Sequence, residues 1–407
     1  MHTAGAGSGT GVLRLEQGDK AGPCAVVAAA TGAGPRITFC FTMSASQTCR
    51  RRCGGRFNDK EPMSKNLIEQ NVFDLIQSSY TANTLFVLTK AGVFDRLLRQ
   101  AASAAQLASE LGLDASMLHD MLLFAHAVRF VKRDGATFSI ARKALPLTGK
   151  SGSWLRAYLL VWGEQLNPAF SKLGEQLATG DNAFALANGK RIWDLYASDP
   201  EQNALFVEFM GGVTKQLHFG VVVEGLDIGG AQRLLDVGGG TGSFACGLAQ
   251  SHPGLLADVC DQPSNMHNAN AKIAALALQE RCHFIGTNIF ASIPSDYDLY
   301  TIKHVLHDWD DANAAAILRQ IAEAMHDSAR LVIIEGVLDR SVDEALPEQA
   351  YLHARNIEQR VWTPGRVRTR AAFDALCAVA GLRIDHVSHS TIFDISYLTC
   401  SRVPRPD

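Results

Sequence analysis

Apolar residues recur at helical spacing from Leu67 to about Leu98, through Val72, Leu75, Ile76, Leu85, Val87, Leu88 and Val93. That period predicts one long amphipathic helix. The stretch from Ala104 to Gly112 follows, and a second helix is expected from Ala115 to about Val128. Phe130 to Ile140 then reads as a hairpin turning at Asp134-Gly135. Helix, turn, helix and hairpin make a winged-helix pattern. A DNA-reading helix needs an exposed basic or amide-rich face. The second helix here, Ala115-Ser116-Met117-Leu118-His119-Asp120-Met121-Leu122-Leu123-Phe124, is apolar and slightly acidic. A packing role is therefore expected, with no nucleic-acid partner. Helical texture continues from about Trp154 to Gly225, with Asn203, Phe206 and Met210 on one face.

After Gly229-Gly230 the pattern changes. Short β-rich runs at 233–238, 256–261, 282–287, 297–305 and 329–337 alternate with helical segments, which predicts a doubly wound parallel sheet. The last two runs, 382–390 and 392–400, leave no room for a crossover and must pair antiparallel. The expected fold class is α/β, a doubly wound sheet with a C-terminal antiparallel hairpin, preceded by a helical winged-helix domain. Residues 1–62 are Gly- and Ala-rich without periodicity and carry Arg50-Arg51-Arg52. They are expected to be disordered, or to be an extension upstream of a start at Met63. Residues 63–165 are then the winged-helix domain, 166–230 a helical linker and substrate-pocket region, and 231–407 the catalytic domain.

Composition narrows the function classes. A chain of 407 residues, 47% hydrophobic, can bury the cores of two or three domains. The formal net charge of −3 is dispersed, unlike a polyanion-binding protein. No apolar run approaches the roughly 20 residues of a membrane span, so no membrane partner is expected; a cytoplasmic protein is expected from the cysteine usage. Of the nine cysteines, Cys246, Cys260, Cys282, Cys377 and Cys400 lie singly in apolar segments, as buried free thiols do. Cys24, Cys40, Cys49 and Cys53 crowd the N-terminal tail at spacings that match no familiar zinc pattern. No metal is expected, and the usage fits a reducing compartment.

Three stretches carry chemistry. The first is Leu234-Leu235-Asp236-Val237-Gly238-Gly239-Gly240-Thr241-Gly242, at the end of the first strand of the sheet. Glycines there let the backbone turn sharply and approach a ligand. Gly240-Thr241-Gly242-Ser243-Phe244-Ala245 also satisfies the loose dinucleotide pattern G-x-G-x-x-A. Asp236 tilts the balance, because a carboxylate there repels a pyrophosphate and suits the cationic methionine end of S-adenosylmethionine. Asp261, at the tip of the second strand, can accept both ribose hydroxyls of an adenosine, which either cofactor class requires.

The second stretch is Lys303-His304-Val305-Leu306-His307-Asp308-Trp309-Asp310-Asp311, after the fourth strand. Strand ends in open parallel sheets face the ligand crevice. His307 is thus placed where a general base is useful. Ionising a free phenol at neutral pH costs about 4 kcal/mol, and a positioned histidine spreads that cost into the transition state. Capping of the helix that follows is the competing role for His307. His304, three residues earlier in a strand, is expected to face the other way and is assigned no chemistry. The third is Leu331-Val332-Ile333-Ile334-Glu335, where a charge closes an apolar run. Glu335 is expected to accept a hydrogen bond from His307 and fix its tautomer.

Together these strings resemble the plant and bacterial small-molecule O-methyltransferases related to caffeate and flavonoid methyltransferases, whose bacterial members modify phenazines, mitomycins and anthracyclines. The resemblance runs from Leu67 to Cys400. It implies a class I methyltransferase fold and S-adenosylmethionine as cofactor, with S-adenosylhomocysteine as product and no metal. It also implies a homodimer formed through the N-terminal domain, and a small aromatic substrate. Residue by residue, it places Gly238 and Gly240 against the cofactor, Asp261 on the ribose, Lys303 on the cofactor and Trp309 near the adenine. It makes His307 the base and Glu335 its flanking acid. Asp308, beside the base, is placed with the substrate.

Two departures stand out. Thr287-Asn288-Ile289-Phe290 replaces the family's G-D-M-F, so Asn288 meets the adenine as a neutral acceptor, with Ile289 beside it. Val367, in Gly365-Arg366-Val367-Arg368-Thr369, stands where the family commonly has a second acid flanking the histidine. Trp162, Phe170, Asn203, Phe206 and Met210 are candidate pocket wall, and each also reads as core. Four alternatives stay open. They are N- or C-methylation of an aromatic heterocycle, a relative that decarboxylates or hydroxylates instead, a winged-helix regulator sensing S-adenosylmethionine, and a nicotinamide oxidoreductase.

Overall fold

Among the described residues, ten strands appear in chain order: β1 (Ala102–Ser103), β2 (Val131–Asp134), β3 (Thr137–Ile140), β4 (Arg233–Val237), β5 (Leu256–Asp261), β6 (Phe284–Gly286), β7 (Leu299–Lys303), β8 (Arg330–Glu335), β9 (Leu382–His389) and β10 (Ser396–Arg402). The computed structural model describes residues 65–213, 219–339, 347–390 and 395–404. The expectations for the tail, with its arginine run, its four cysteines and Met63, lie outside the described residues.

The large sheet has the order β6-β5-β4-β7-β8-β10-β9. β4 pairs in parallel with β5 and β7, and β8 in parallel with β7. β10 runs antiparallel to both β8 and β9, as the short spacing of the last two runs requires. The order reverses at β4, so the crevice beyond β4 and β7 is a topological switch point, where ligands bind in open α/β sheets. The inner strands are almost continuously apolar because both faces are covered. Leu235, Val237, Tyr300, Ile302, Leu331 and Ile333 join one core with helices Asp311–Ala324 and Arg370–Val379. Leu234, Leu299, Val332 and Ile334 join the opposite core, against helices Ser243–Ser251 and Met266–Ala275. The five described cysteines are buried free thiols.

Before the sheet, the expected single helix to Leu98 is two, Lys65–Lys90 and Val93–Arg99. Gly92 breaks it with a left-handed φ of 73°, a conformation glycine adopts at little cost. The apolar period survives the break because Leu85, Leu88, Val93, Phe94 and Leu97 all enter one core. Helix Ala104–Leu111 starts from a capping box between Ser103 and Gln106. Helix Ala115–Ala127 starts from the Asp114 side chain. β2 and β3 pair with Asp134 opposite Thr137, and β1 adds a third strand beside β3. The region is therefore mostly helical but not wholly so.

The expected helical stretch from Trp154 is several pieces. Helix Trp154–Val161 continues through a π-helical turn at Trp162–Leu166 into Asn167–Phe170. Such turns recur at functional sites. Gly163 lies in this turn, where an added Cβ would sit 2.1 Å from the Phe86 ring. Helices Ile192–Ser198 and Pro200–Val213 follow later. Their aromatic side chains stack Tyr196 on Phe206 at 4.6 Å and Phe209 on Trp362 at 6.2 Å.

Candidate active site

The glycine loop leaves β4 beneath the crevice. Gly238 has φ 69°, and a Cβ there would lie 2.7 Å from Val305. A Cβ on Gly239 would lie 2.5 Å from the Asp236 carboxylate and 2.8 Å from Val259. Both positions exclude side chains outright. A Cβ on Gly240, by contrast, would meet nothing within 4 Å, so the loop presents bare backbone to open space. That is the surface a flat, close-lying cofactor needs.

Two acids support the loop. Asp261 accepts hydrogen bonds from Gly240 N at 2.7 Å, Gln262 N at 2.6 Å and Asn265 Nδ2 at 3.0 Å. Its carboxylate thus lies against the loop itself. Asp236 is 1% exposed and accepts from Thr301 Oγ1 at 2.9 Å. Burial pushes its carboxyl up to about 7, against the Thr301 bond and the Lys303 charge, which draw it down. The Asp236 carboxylate therefore lies under the loop. Asn288 folds back to accept from Phe290 N at 3.0 Å. Phe290 meets Trp309 edge to face at 4.7 Å, and Ile289, Phe290 and Trp309 all pack against the same core.

The second cluster forms beyond β7 and β8. Glu335, the last residue of β8, is 1% exposed. Its Oε2 accepts from His307 Nδ1 at 2.7 Å, and its Oε1 from the His307 backbone N–H at 3.3 Å. Burial raises a carboxyl, but the His307 charge, the His307 hydrogen bond and the neighbouring His304 imidazole hold Glu335 well below the usual carboxylate range. Burial lowers the His307 imidazole, yet the charges of Glu335 and Asp308 and the Glu335 hydrogen bond leave it above the usual histidine range. With Nδ1 occupied, Nε2 is the atom left to handle a proton. It lies 3.6 Å from Asp308 Oδ1. Asp308 in turn accepts from Gln359 Nε2 at 2.8 Å, and burial pushes its carboxyl up to about 6. Helix Asp311–Ala324 is capped by Asp310, not by His307.

His304 does not face away. It adopts φ 52°, although its backbone N–H still bonds Ile334 O in strand fashion at 3.0 Å. The left-handed turn swings the side chain round, so that its Nδ1 lies 3.6 Å from Glu335 Oε2 and its ring 5.3 Å from that of His307. The alternation rule fails here because the strand ends one residue earlier.

Three further residues frame His307, and the sequence pattern singles out none of them. Arg368 is 1% exposed and donates to Leu306 O at 2.6 Å, Trp309 O at 2.7 Å and Asp311 Oδ1 at 3.0 Å. It clamps both ends of the turn that carries His307. Gly365 lies so close that a Cβ would be 1.9 Å from His307 O. Gln359 holds Asp308 and Thr363 at 2.8 Å each. The signal for Arg368 was its place beside Val367 in one charged string, but only the missing acid was read from it. His304, His307, Gly336, Leu352, Arg355, Gln359 and Val367 line one cavity. Val367 and His307 thus line the same cavity. Trp162, Phe206 and Met210 pack on the aromatic cluster of the helical region. Asn203 is half-buried on the same helix as Phe206 and Met210, and Phe170 is 36% exposed.

Comparison with known proteins gives one family. An O-methyltransferase domain matches residues 170–383. The mitomycin biosynthesis 6-O-methyltransferase of Streptomyces lavendulae is 29% identical over 323 residues, covering 78% of this chain and 90% of that protein. The solved mitomycin 7-O-methyltransferase superposes with a TM-score of 0.77 at 27% identity, over 83% of this chain and 99% of its own. An O-methyltransferase from neocarzinostatin biosynthesis, solved with S-adenosylmethionine and 2-hydroxy-5-methyl naphthoic acid, superposes at 0.70 with 25% identity, over 79% and 96%.

Proposed function

This chain belongs to the O-methyltransferase domain family, and from that premise we propose that it methylates a phenolic or enolic hydroxyl of a small aromatic secondary metabolite, with His307 as general base. It is an S-adenosylmethionine-dependent methyltransferase, and S-adenosylhomocysteine is its product. When bound, the cofactor supplies a methyl group made electrophilic by its sulfonium. Gly238 and Gly240 offer backbone to it, Asp261 is positioned for a ribose, and Asp236 lends negative charge from beneath. Lys303, Asn288, Ile289 and Trp309 complete the cofactor side.

The observation that carries the base assignment is the 2.7 Å bond from His307 Nδ1 to the buried Glu335. It fixes the tautomer, so Nε2 takes the acceptor's proton as the oxygen becomes nucleophilic. Asp308 and Gln359 border the acceptor, and Trp162, Phe206, Met210 and Asn203 offer flat surface further out. His307→Ala should lower turnover roughly 10²- to 10⁴-fold on hydroxylated aromatics in a labelled-methyl transfer assay. Equal turnover by that variant would leave proximity alone as the source of rate. A panel pairing each hydroxyl acceptor with its amino analogue reads the acceptor atom; preference for the amine would make this an N-methyltransferase.

The helices and strands from Lys65 to Ile140 fit a winged-helix unit, and we assign it to dimerisation. Its first helix exposes Val72, Phe73, Leu75, Ile76 and Tyr80, each above half-exposed. A continuous apolar stripe of that size marks a partner surface, and a second copy of this chain is the occupant proposed. Sedimentation velocity at micromolar concentration should give a dimer that Ile76→Glu converts to monomer.

A further inference from the structure

We propose that His304 is a positioning residue for methyl transfer: its imidazole takes a share of the Glu335 carboxylate and so limits how strongly that acid draws a proton onto His307. The proposal rests on the reading of His307 as base. The geometry is specific. Both imidazoles turn Nδ1 toward the same oxygen, Glu335 Oε2, at 2.7 Å from His307 and 3.6 Å from His304. Both side chains are mostly buried, and the acid almost wholly so. Position 304 presents its side chain to that oxygen with a left-handed φ of 52°. A histidine held in that sparsely populated region stores strain, and such strain gathers at functional sites.

The two rings are driven apart electrically. Burial lowers the His304 imidazole more than the Glu335 contact restores it, with Lys303 and His307 adding to the drop. Glu335 and Asp308 overcome burial at His307, against Arg355 from helix Pro347–Trp362. A neutral His304 with its proton on Nδ1 is an N–H dipole aimed at the carboxylate. It stabilises Glu335 as an anion and keeps that anion from being spent on His307 alone. The expected result is a base that His304 keeps from being drawn further up, since general-base catalysis works best when the base's range lies near the operating pH.

The test is a titration of the His307 ring itself, followed by NMR with histidine-selective labelling, in the full-length enzyme. His304→Gly removes the N–H while accepting positive φ without strain. His304→Asn keeps an N–H near the position of Nδ1 and also tolerates positive φ. His304→Gly should raise the His307 midpoint by about half to one pH unit, a three- to tenfold gain in proton affinity. His304→Asn should leave it close to wild type. Should the glycine variant not fold, His304→Asn alone still reads the proposal: a His307 midpoint raised by about one pH unit in that variant would overturn it. An unchanged His307 titration without the N–H would overturn the proposal, and so would equal shifts in the Gly and Asn variants. The acid limb of the kcat profile should follow the ring titration. If the ring shifts and the limb does not, the His304 assignment stands and the general-base reading of His307 falls.

Discussion

The two ends of the crevice are built on opposite plans. Beyond β4 and β5 the site is made of backbone. Gly238 and Gly239 admit no side chain, Gly240 lies bare, and the acids reach the ligand space only through or beside the loop. Beyond β7 and β8 the site is made of side chains: one buried acid, two imidazoles and an aspartate, held by residues from helix Pro347–Trp362 and the segment after it. A backbone site recognises shape and tolerates little chemical change. A side-chain site holds a proton balance, and small moves of one group are felt by its neighbours.

The largest expected effect strikes only the second plan. Glu335→Gln keeps the shape but lets Nδ1 of His307 lose its anionic partner. Turnover should fall roughly 10²- to 10³-fold, while affinity for S-adenosylhomocysteine by calorimetry stays within about twofold of wild type. If both quantities fall together, the two ends are one cooperative unit and the contrast between them dissolves.

A smaller effect sharpens the first plan. Asp236, raised to about 7 by burial, is protonated below that pH and ionised above it. A cation nearby favours the ionised form, so affinity for S-adenosylmethionine should climb as pH rises through 7. S-adenosylhomocysteine lacks the sulfonium charge and should climb less. The ratio of the two dissociation constants is expected to change about three- to tenfold between pH 6 and 8. A flat ratio would mean that the buried acid serves only to hold Thr301 and the loop. The sign in the ligand-free protein is the reverse. The unfolded chain ionises this acid near pH 4, so Asp236 costs stability as pH rises from about 4 to about 7.

Legibility followed the same divide. The glycine loop could be read because the residues that its geometry demands are themselves the pattern. Asp261 and Glu335 could be read because a charge closing an apolar strand has few places to go. His304 could not, since alternation along a strand says nothing about a residue just past its end, and no neighbouring glycine announces the left-handed turn. Arg368 could not, because its three acceptors lie about sixty residues away in sequence, and surface exposure is the default expectation for an arginine. The break at Gly92 was concealed by burial: both helices feed the same core, so the period runs on across a gap.

The segment 365–368 has a consequence for how such an enzyme can diversify. Position 365 has no room for a side chain, and position 368 holds the turn that carries His307 from both ends. Arg366 is tied to Asp311 at 2.7 Å. Val367 alone among the four looks into the cavity. Three positions are therefore mechanical fixtures and one is an exchangeable tool bit. On the proposed reading of His307 as base, a saturation library confined to position 367 should shift acceptor preference without loosening the turn that carries His307.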